Sequence, residues 1–168
     1  MSAKRAPFQI AVSGKAVYVR VQGLGSMHTA PTLEGFAKRV IKGGARQFVF
    51  DLAQCTGVDS TFMGMLLGLS KRLTQPDDGK SRGCVLINVD DHANKQLSSV
   101  GVDAFVTIKP EKTALPKGLK LTNLDVVEAS DEERMKLMVR AHKDLISANE
   151  SNRAKFGPFL KAIVAELS

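Results

Sequence analysis

The sequence predicts a single α/β domain on a mixed, largely parallel sheet, followed by a helical extension. Three observations carry this. Short β-like apolar runs alternate with amphipathic segments of 10–15 residues, the pattern of strands joined by right-handed helical crossovers. The first two runs are separated only by Ser13-Gly14-Lys15, which reads as a hairpin and makes the first strand antiparallel to the second. The last 38 residues carry helical periodicity and no strand signal.

In order, Phe8–Val12 and Ala16–Val21 alternate as strands. A glycine-rich loop, Gly23 to Pro31, precedes a helix expected to be capped by Thr32 and to run to Lys42, where Gly43-Gly44 stops it. Phe48–Leu52 reads as a strand buried on both faces. A corner, Thr56 to Thr61, opens a strongly apolar helix from Phe62 to about Thr74. Residues 75–83, rich in Pro, Asp and Gly, read as a surface turn. Cys84–Asn88 is a further buried strand. Asp90 or Asp91 caps a helix to Val100, Gly101 ends it, and Phe105–Ile108 is the last strand. The element order is β-β-α-β-α-β-α-β.

Residues 1–110 form the expected domain, 111–130 an irregular connector, and 131–168 a helical extension packed on the domain or on a second copy. Within the connector, Leu119 to Val127 is an edge strand or surface chain. Ser130-Asp131-Glu132-Glu133 is a helix start, with acids favoured by the dipole of the first turn. Met135, Met138, Ala141, Leu145 and Ala148 then recur at helical spacing, as do Phe156, Leu160, Ile163, Val164 and Leu167. Gly157-Pro158 is expected to break or kink the helix between them, because proline removes a donor and clashes one turn back.

Composition narrows the function. The 168 residues carry a net charge of +7, spread along the chain, with no Trp and one Tyr. A weak preference for acidic partners follows, but not a nucleic-acid groove, which needs stacking platforms on a basic track. No apolar run reaches the roughly 18 residues of a membrane span, and Met1 to Phe8 lacks a signal-peptide core; the expectation is a cytoplasmic protein. Cys55 and Cys84 read as buried small hydrophobes of a reducing compartment. The histidines, His28, His92 and His142, are too scattered for a metal site, and neither metal nor cofactor is expected. Gly23-Leu24-Gly25-Ser26-Met27-His28 lacks the last glycine and the closing acid of a dinucleotide fingerprint. Val58-Asp59-Ser60-Thr61-Phe62 is not a hydrolase elbow. His28 is the histidine placed to approach Ser60, while His92 and His142 read as solvent-facing. Catalysis is not expected.

The chemistry concentrates at Val58-Asp59-Ser60-Thr61-Phe62-Met63. Any of Asp59, Ser60 and Thr61 can cap the open backbone donors of the following helix. Ser60 would stand at the positive end of the helix dipole, where an N-cap and a phosphate acceptor need the same donors. Gly64 and Gly68 give that helix a small face, expected to pack closely on the sheet.

Together, Phe50-Asp51-Leu52, Val58-Asp59-Ser60-Thr61 and Gly64-Met65-Leu66-Leu67-Gly68 resemble the STAS domain of anti-sigma-factor antagonists. The resemblance covers roughly residues 8–108, including the Thr29-Ala30 loop and Ser99-Val100-Gly101-Val102. It implies a non-enzymatic regulator that switches partners. Ser60 would be phosphorylated by an anti-sigma factor or related serine kinase, with Thr61 as the second choice. Ser26, Met27, His28, Asp59, Ser60, Thr61, Phe62 and Met63 would face that partner. STAS-like modules also serve as unphosphorylated scaffolds, small-molecule sensors and subunits of transport complexes, the alternative reading. Where the family loop reads Gly-Glu-Leu-Asp, this chain has Gly23-Leu24-Gly25-Ser26, without an acid; after the paired hydroxyl residues it has Phe62 in place of the frequent glycine. For the extension, packing on the domain is the first expectation and a homodimer contact the second.

Overall fold

The structure, a computed structural model, describes residues 5–73 and 83–168. Strands β1 (Phe8–Ser13) and β2 (Ala16–Gly25) form an antiparallel ladder from Ser13↔Ala16 to Phe8↔Val21. The turn between them is Gly14-Lys15. Gly14 sits at φ +60°, the glycine-favoured first position of a type II′ turn, whose twist matches the strands.

Helix α1 (Ala30–Lys42) begins earlier than expected from Thr32. Pro31 is the reason: its fixed φ suits a first helical turn, and its missing N–H would have had no partner there. Thr32 instead lies inside the helix, buried, and its hydroxyl oxygen accepts the Val127 N–H at 3.0 Å.

Strand β3 (Gln47–Val58) is parallel to β2 and longer than the apolar run Phe48–Leu52. Phe48, Phe50, Asp51 and Leu52 are buried and only Val49 is half-buried, so the apolar stretch is covered on both faces from Phe50 to Leu52. Beyond Leu52 the ladder with β2 continues through two register shifts to Gly25↔Val58. Periodicity does not report such bulged pairing, yet it brings the ends of β2 and β3 together.

Helix α2 (Ser60–Leu73) leads to β4 (Cys84–Ile87), whose four residues are all buried. The surface turn expected over residues 75–83 lies, except for Gly83, outside the described residues, as does the expected helix end at Thr74. Helix α3 (Asp91–Ser99) is capped by Asp90, which accepts the Ala93 N–H at 2.7 Å. Gly101 ends it in the left-handed region at φ +78°, and β5 is only Thr107–Ile108. The connector adds a two-residue strand, β6 (Thr122–Asn123), antiparallel to β1.

The sheet order is β5-β4-β3-β2-β1-β6. The parallel steps β2→β3→β4→β5 all move in one direction. Right-handed crossovers therefore place α1, α2 and α3 on the same face. The alternation in β2 agrees: Val17, Val19 and Val21 are buried, while Ala16, Tyr18 and Arg20 on the other face are half-buried.

Ser130 caps α4 (Asp131–Ala148), accepting the Glu133 N–H at 3.1 Å. The chain then turns at 149–151 into α5 (Asn152–Leu167), which runs through Pro158 without ending there. The expected break at Gly157-Pro158 is thus misplaced by several residues. Nor are the two helices collinear. Collinear positions 14 residues apart would be separated by about 21 Å, but the His142 and Phe156 rings are 5.2 Å apart. The pair is a hairpin, and it docks on α2 rather than on the open face of the sheet. Sequence explains why: α2 is apolar on nearly every side, and such a helix must be covered on both faces.

Candidate functional site: the Asp59-Ser60 corner

The corner forms where β3 ends and α2 begins. Asp59 is the residue that caps α2: its Oδ1 accepts the Phe62 N–H at 2.8 Å, and its carbonyl accepts the Met63 N–H. Its other oxygen, Oδ2, accepts the Met27 N–H at 2.8 Å, while its own N–H donates to the Gly25 carbonyl. One carboxylate thus fixes both the helix start and the loop after β2. Ser26 completes that loop from within, its hydroxyl accepting the His28 N–H and its N–H donating to the Thr29 hydroxyl.

Because Asp59 takes the cap, Ser60 is not an ordinary N-cap. It is the first residue of α2, half-buried, and its hydroxyl lies 2.9 Å from Nε2 of His142. His142 was expected to face solvent; it is fully buried, at 0% exposure. Its Nδ1 is 2.6 Å from the Met138 carbonyl oxygen, which can only accept. Nδ1 therefore carries the ring proton, Nε2 is the acceptor, and the Ser60 hydroxyl donates to it. Burial holds the His142 pKa below its ordinary value, more strongly than the Met138 carbonyl and the Asp59 carboxylate raise it. The neutral imidazole follows. The edges of Phe156 and Phe159 close over the ring at 5.2 and 4.9 Å.

A serine hydroxyl on a neutral imidazole is the geometry of a nucleophile with its base. Here, however, the second ring nitrogen bonds a backbone carbonyl rather than an orienting carboxylate, and two phenyl rings seal the imidazole from solvent. The arrangement holds the hydroxyl in place.

The residues singled out from sequence fall into two groups. His28 is exposed, and Met27, Asp59 and Ser60 are half-buried around the corner. Ser26, Thr61, Phe62 and Met63 are buried. Phe62 turns inward, stacking on Phe8 at 6.3 Å and lying so close to Gly25 that a Cβ there would come within 2.9 Å of its ring. Glycine at position 25 is thus required by the ring behind it. His28 does not reach Ser60; the histidine that does, His142, carried only the signal of lying one residue from the apolar stripe Met138-Ala141-Leu145.

Nearby, Asp51 is buried and accepts from Asn88 Nδ2 at 2.9 Å and from the Ala53 N–H, with Arg20 at 3.4 Å. Asn88, at φ +58°, also exchanges two bonds with the Thr113 backbone and so pins the connector across the ends of β3 and β4. Burial pushes the thiol of Cys84 up to about 12 and raises that of Cys55, so neither presents a ready thiolate. Among the described residues no cluster of three metal-ligating side chains occurs, and no helix is long and apolar enough to cross a membrane.

A sheet of this order, with a capped Asp-Ser corner opening its second helix, defines a class of mixed α/β domain, and sequence comparison places the chain within it. The STAS domain model matches residues 7–114, and the chain belongs to the STAS-domain family. None of the curated proteins matches it. Among solved structures, an anti-sigma factor antagonist from Mycobacterium paratuberculosis is 20% identical, covering 66% of this chain and 92% of that one at a TM-score of 0.53. The Thermotoga maritima protein TM1081 is 16% identical, over 60% of this chain and 84% of that one, at a TM-score of 0.52. The anti-sigma factor antagonist SpoIIAA in its unphosphorylated form is 16% identical, over 62% and 89%, at 0.49. At these identities the likeness is one of fold. Helices α4 and α5 lie beyond the family match.

Proposed function

We propose that the protein is a non-catalytic, cytoplasmic regulator, an anti-sigma-factor antagonist that switches partners according to the phosphorylation of Ser60. The observation that carries this reading is the division of labour at the corner. Asp59 alone caps α2, which leaves the Ser60 hydroxyl outside the capping network and at the positive end of the helix. Thr61, the other candidate acceptor, is buried. Family membership and the fold shared with anti-sigma factor antagonists support the same class of function.

The partner is an anti-sigma factor or related serine kinase, and its docking surface centres on Met27, His28, Asp59 and Ser60. Phosphorylation would move the terminal phosphoryl group of a nucleoside triphosphate to Ser60 Oγ. The hydroxyl proton would pass to a base of the kinase, and the diphosphate would leave. The product carries a charge of about −2 beside the Asp59 carboxylate, and that repulsion would change what the corner can bind. The test is phosphopeptide mapping of the protein isolated from its native cells in growing, starved and stressed cultures. A phosphate on Ser60 in at least one condition is expected. Its absence from all three would refute the switch and favour a constitutive scaffold.

A further inference from the structure

The α4–α5 hairpin covers the same corner, and the contact is shaped for it. Ser60, Gly64 and Gly68 lie four residues apart on α2 and so share one stripe. Every one of them meets α4. Ser60 bonds His142. A Cβ on Gly64 would overlap the Ala141 carbonyl oxygen and come within 2.8 Å of the Ala141 Cβ. A Cβ on Gly68 would come within 2.7 Å of Asp144 Oδ2. The small face expected to pack on the sheet packs on α4 instead.

The docking is local and made chiefly by α4. On α4, Leu137, Ala141, His142, Leu145 and Ile146 are buried; on α5, only Asn152 and Ile163 are. Asn152 Nδ2 donates to the Val100 carbonyl at 2.9 Å and the Leu145 carbonyl at 2.7 Å. The ion pairs Arg140–Glu34 at 2.7 Å and Lys71–Asp144 at 3.9 Å are part-exposed and hold weakly. Phe159 and Val164 on α5 are each 43% exposed. The hairpin thus rests on the domain chiefly through α4, while α5 buries little of itself, and an added element of this kind can open as a unit while the sheet stays formed.

We infer that the hairpin is a built-in competitor: α4 covers the Ser60-Gly64-Gly68 stripe of α2 and has to leave it before the regulatory partner can reach the Ser60 hydroxyl. While α4 is docked, Ser60 is withheld. Phosphorylation and docking exclude each other, because a phosphate ester has no hydroxyl proton for His142 to accept and brings its charge against a sealed, neutral ring and the Asp59 carboxylate. This rests on the Ser60 reading for its biological meaning, but its test does not need a kinase.

The test uses the full chain with Ser60→Cys, labelled with a fluorescein maleimide over a pH series so that rates are compared at equal thiolate fraction, and read at position 60 by peptide mass mapping, with and without Gly64→Ala. Alanine suits a helix better than glycine, so this substitution leaves α2 intact while driving α4 off it. A rise in labelling rate of about tenfold to a hundredfold is expected, the range of opening constants that a forced overlap produces; an unchanged rate overturns the proposal. Circular dichroism verifies that the variant keeps its fold. Hydrogen exchange on the unsubstituted chain supplies a second readout. Amides of α4 and α5 are expected to exchange at least about tenfold faster than those of β2, β3 and β4, by sub-global opening. Equal protection of hairpin and strands overturns the proposal independently. Absence of a Ser60 phosphate in cells would fail the switch while leaving both readouts unchanged.

Discussion

Acidification tests the Ser60–His142 contact most directly. The perturbation is protonation of His142, the one histidine that the structure buries completely. In the folded protein burial lowers its pKa, and the charged group facing it, the Asp59 carboxylate, offsets this only in part. In the unfolded chain it titrates near 6.5. Between the folded value and about 6.5 the unfolded chain therefore binds more protons than the folded one, and stability rises with pH through that window. The contribution is complete above about 6.5 and is lost as pH falls toward the folded value. The steepest slope one group can impose is about 1.4 kcal/mol per pH unit. Protonation also converts Nε2 from acceptor to donor, so the Ser60 hydroxyl loses its partner. The assay is an NMR titration of the three histidine rings, paired with urea unfolding at pH 8, 7, 6 and 5. His142 is expected to titrate below 6.5, and His142→Gln is expected to flatten the pH slope that the unsubstituted protein shows over this range. A His142 ring titrating at or above 6.5, or a slope unchanged by His142→Gln, would refute the sealed, neutral imidazole.

Two further substitutions probe the supports of the site. Asp59→Ala removes the α2 cap and the anchor of the 26–29 loop together; a loss of about 2–3 kcal/mol is expected in urea unfolding, since a cap alone contributes about 1 and the Met27 amide would lose its acceptor. Asn152→Ala strips buried bonds from the Val100 and Leu145 carbonyls and is expected to cost about 2–3 kcal/mol. That cost is expected to appear in hydrogen exchange of α4 and α5 before it appears in the strands.

Local chemistry was legible where the deciding residues are neighbours in sequence. The Gly14 turn, the Ser130 cap and the stop at Gly101 each depend on atoms within a few residues, so composition and spacing specify them, and they narrow the α3 cap to Asp90 or Asp91. The alternating strands and intervening helices likewise carried the element order, and the Asp-Ser-Thr corner marked the candidate site. Even there the sequence left three candidate caps open. The choice of Asp59 was made by the loop after β2, whose Met27 amide needs the second carboxylate oxygen.

Tertiary structure decided what covers the corner. Helical periodicity gives the polarity of a face but not the surface that it meets, so α4 could be read as amphipathic without its docking place. The stripe of glycines on α2 was equally visible and equally mute about its partner. Ser60 and His142 are 82 residues apart. Nothing in either local sequence requires them to meet; a polar ring beside an apolar stripe reads as solvent-facing until another helix supplies its hydrogen bond. Burying that ring is tolerable only because Ser60 and the Met138 carbonyl satisfy its two nitrogens, and that condition exists only once the hairpin has folded back onto α2.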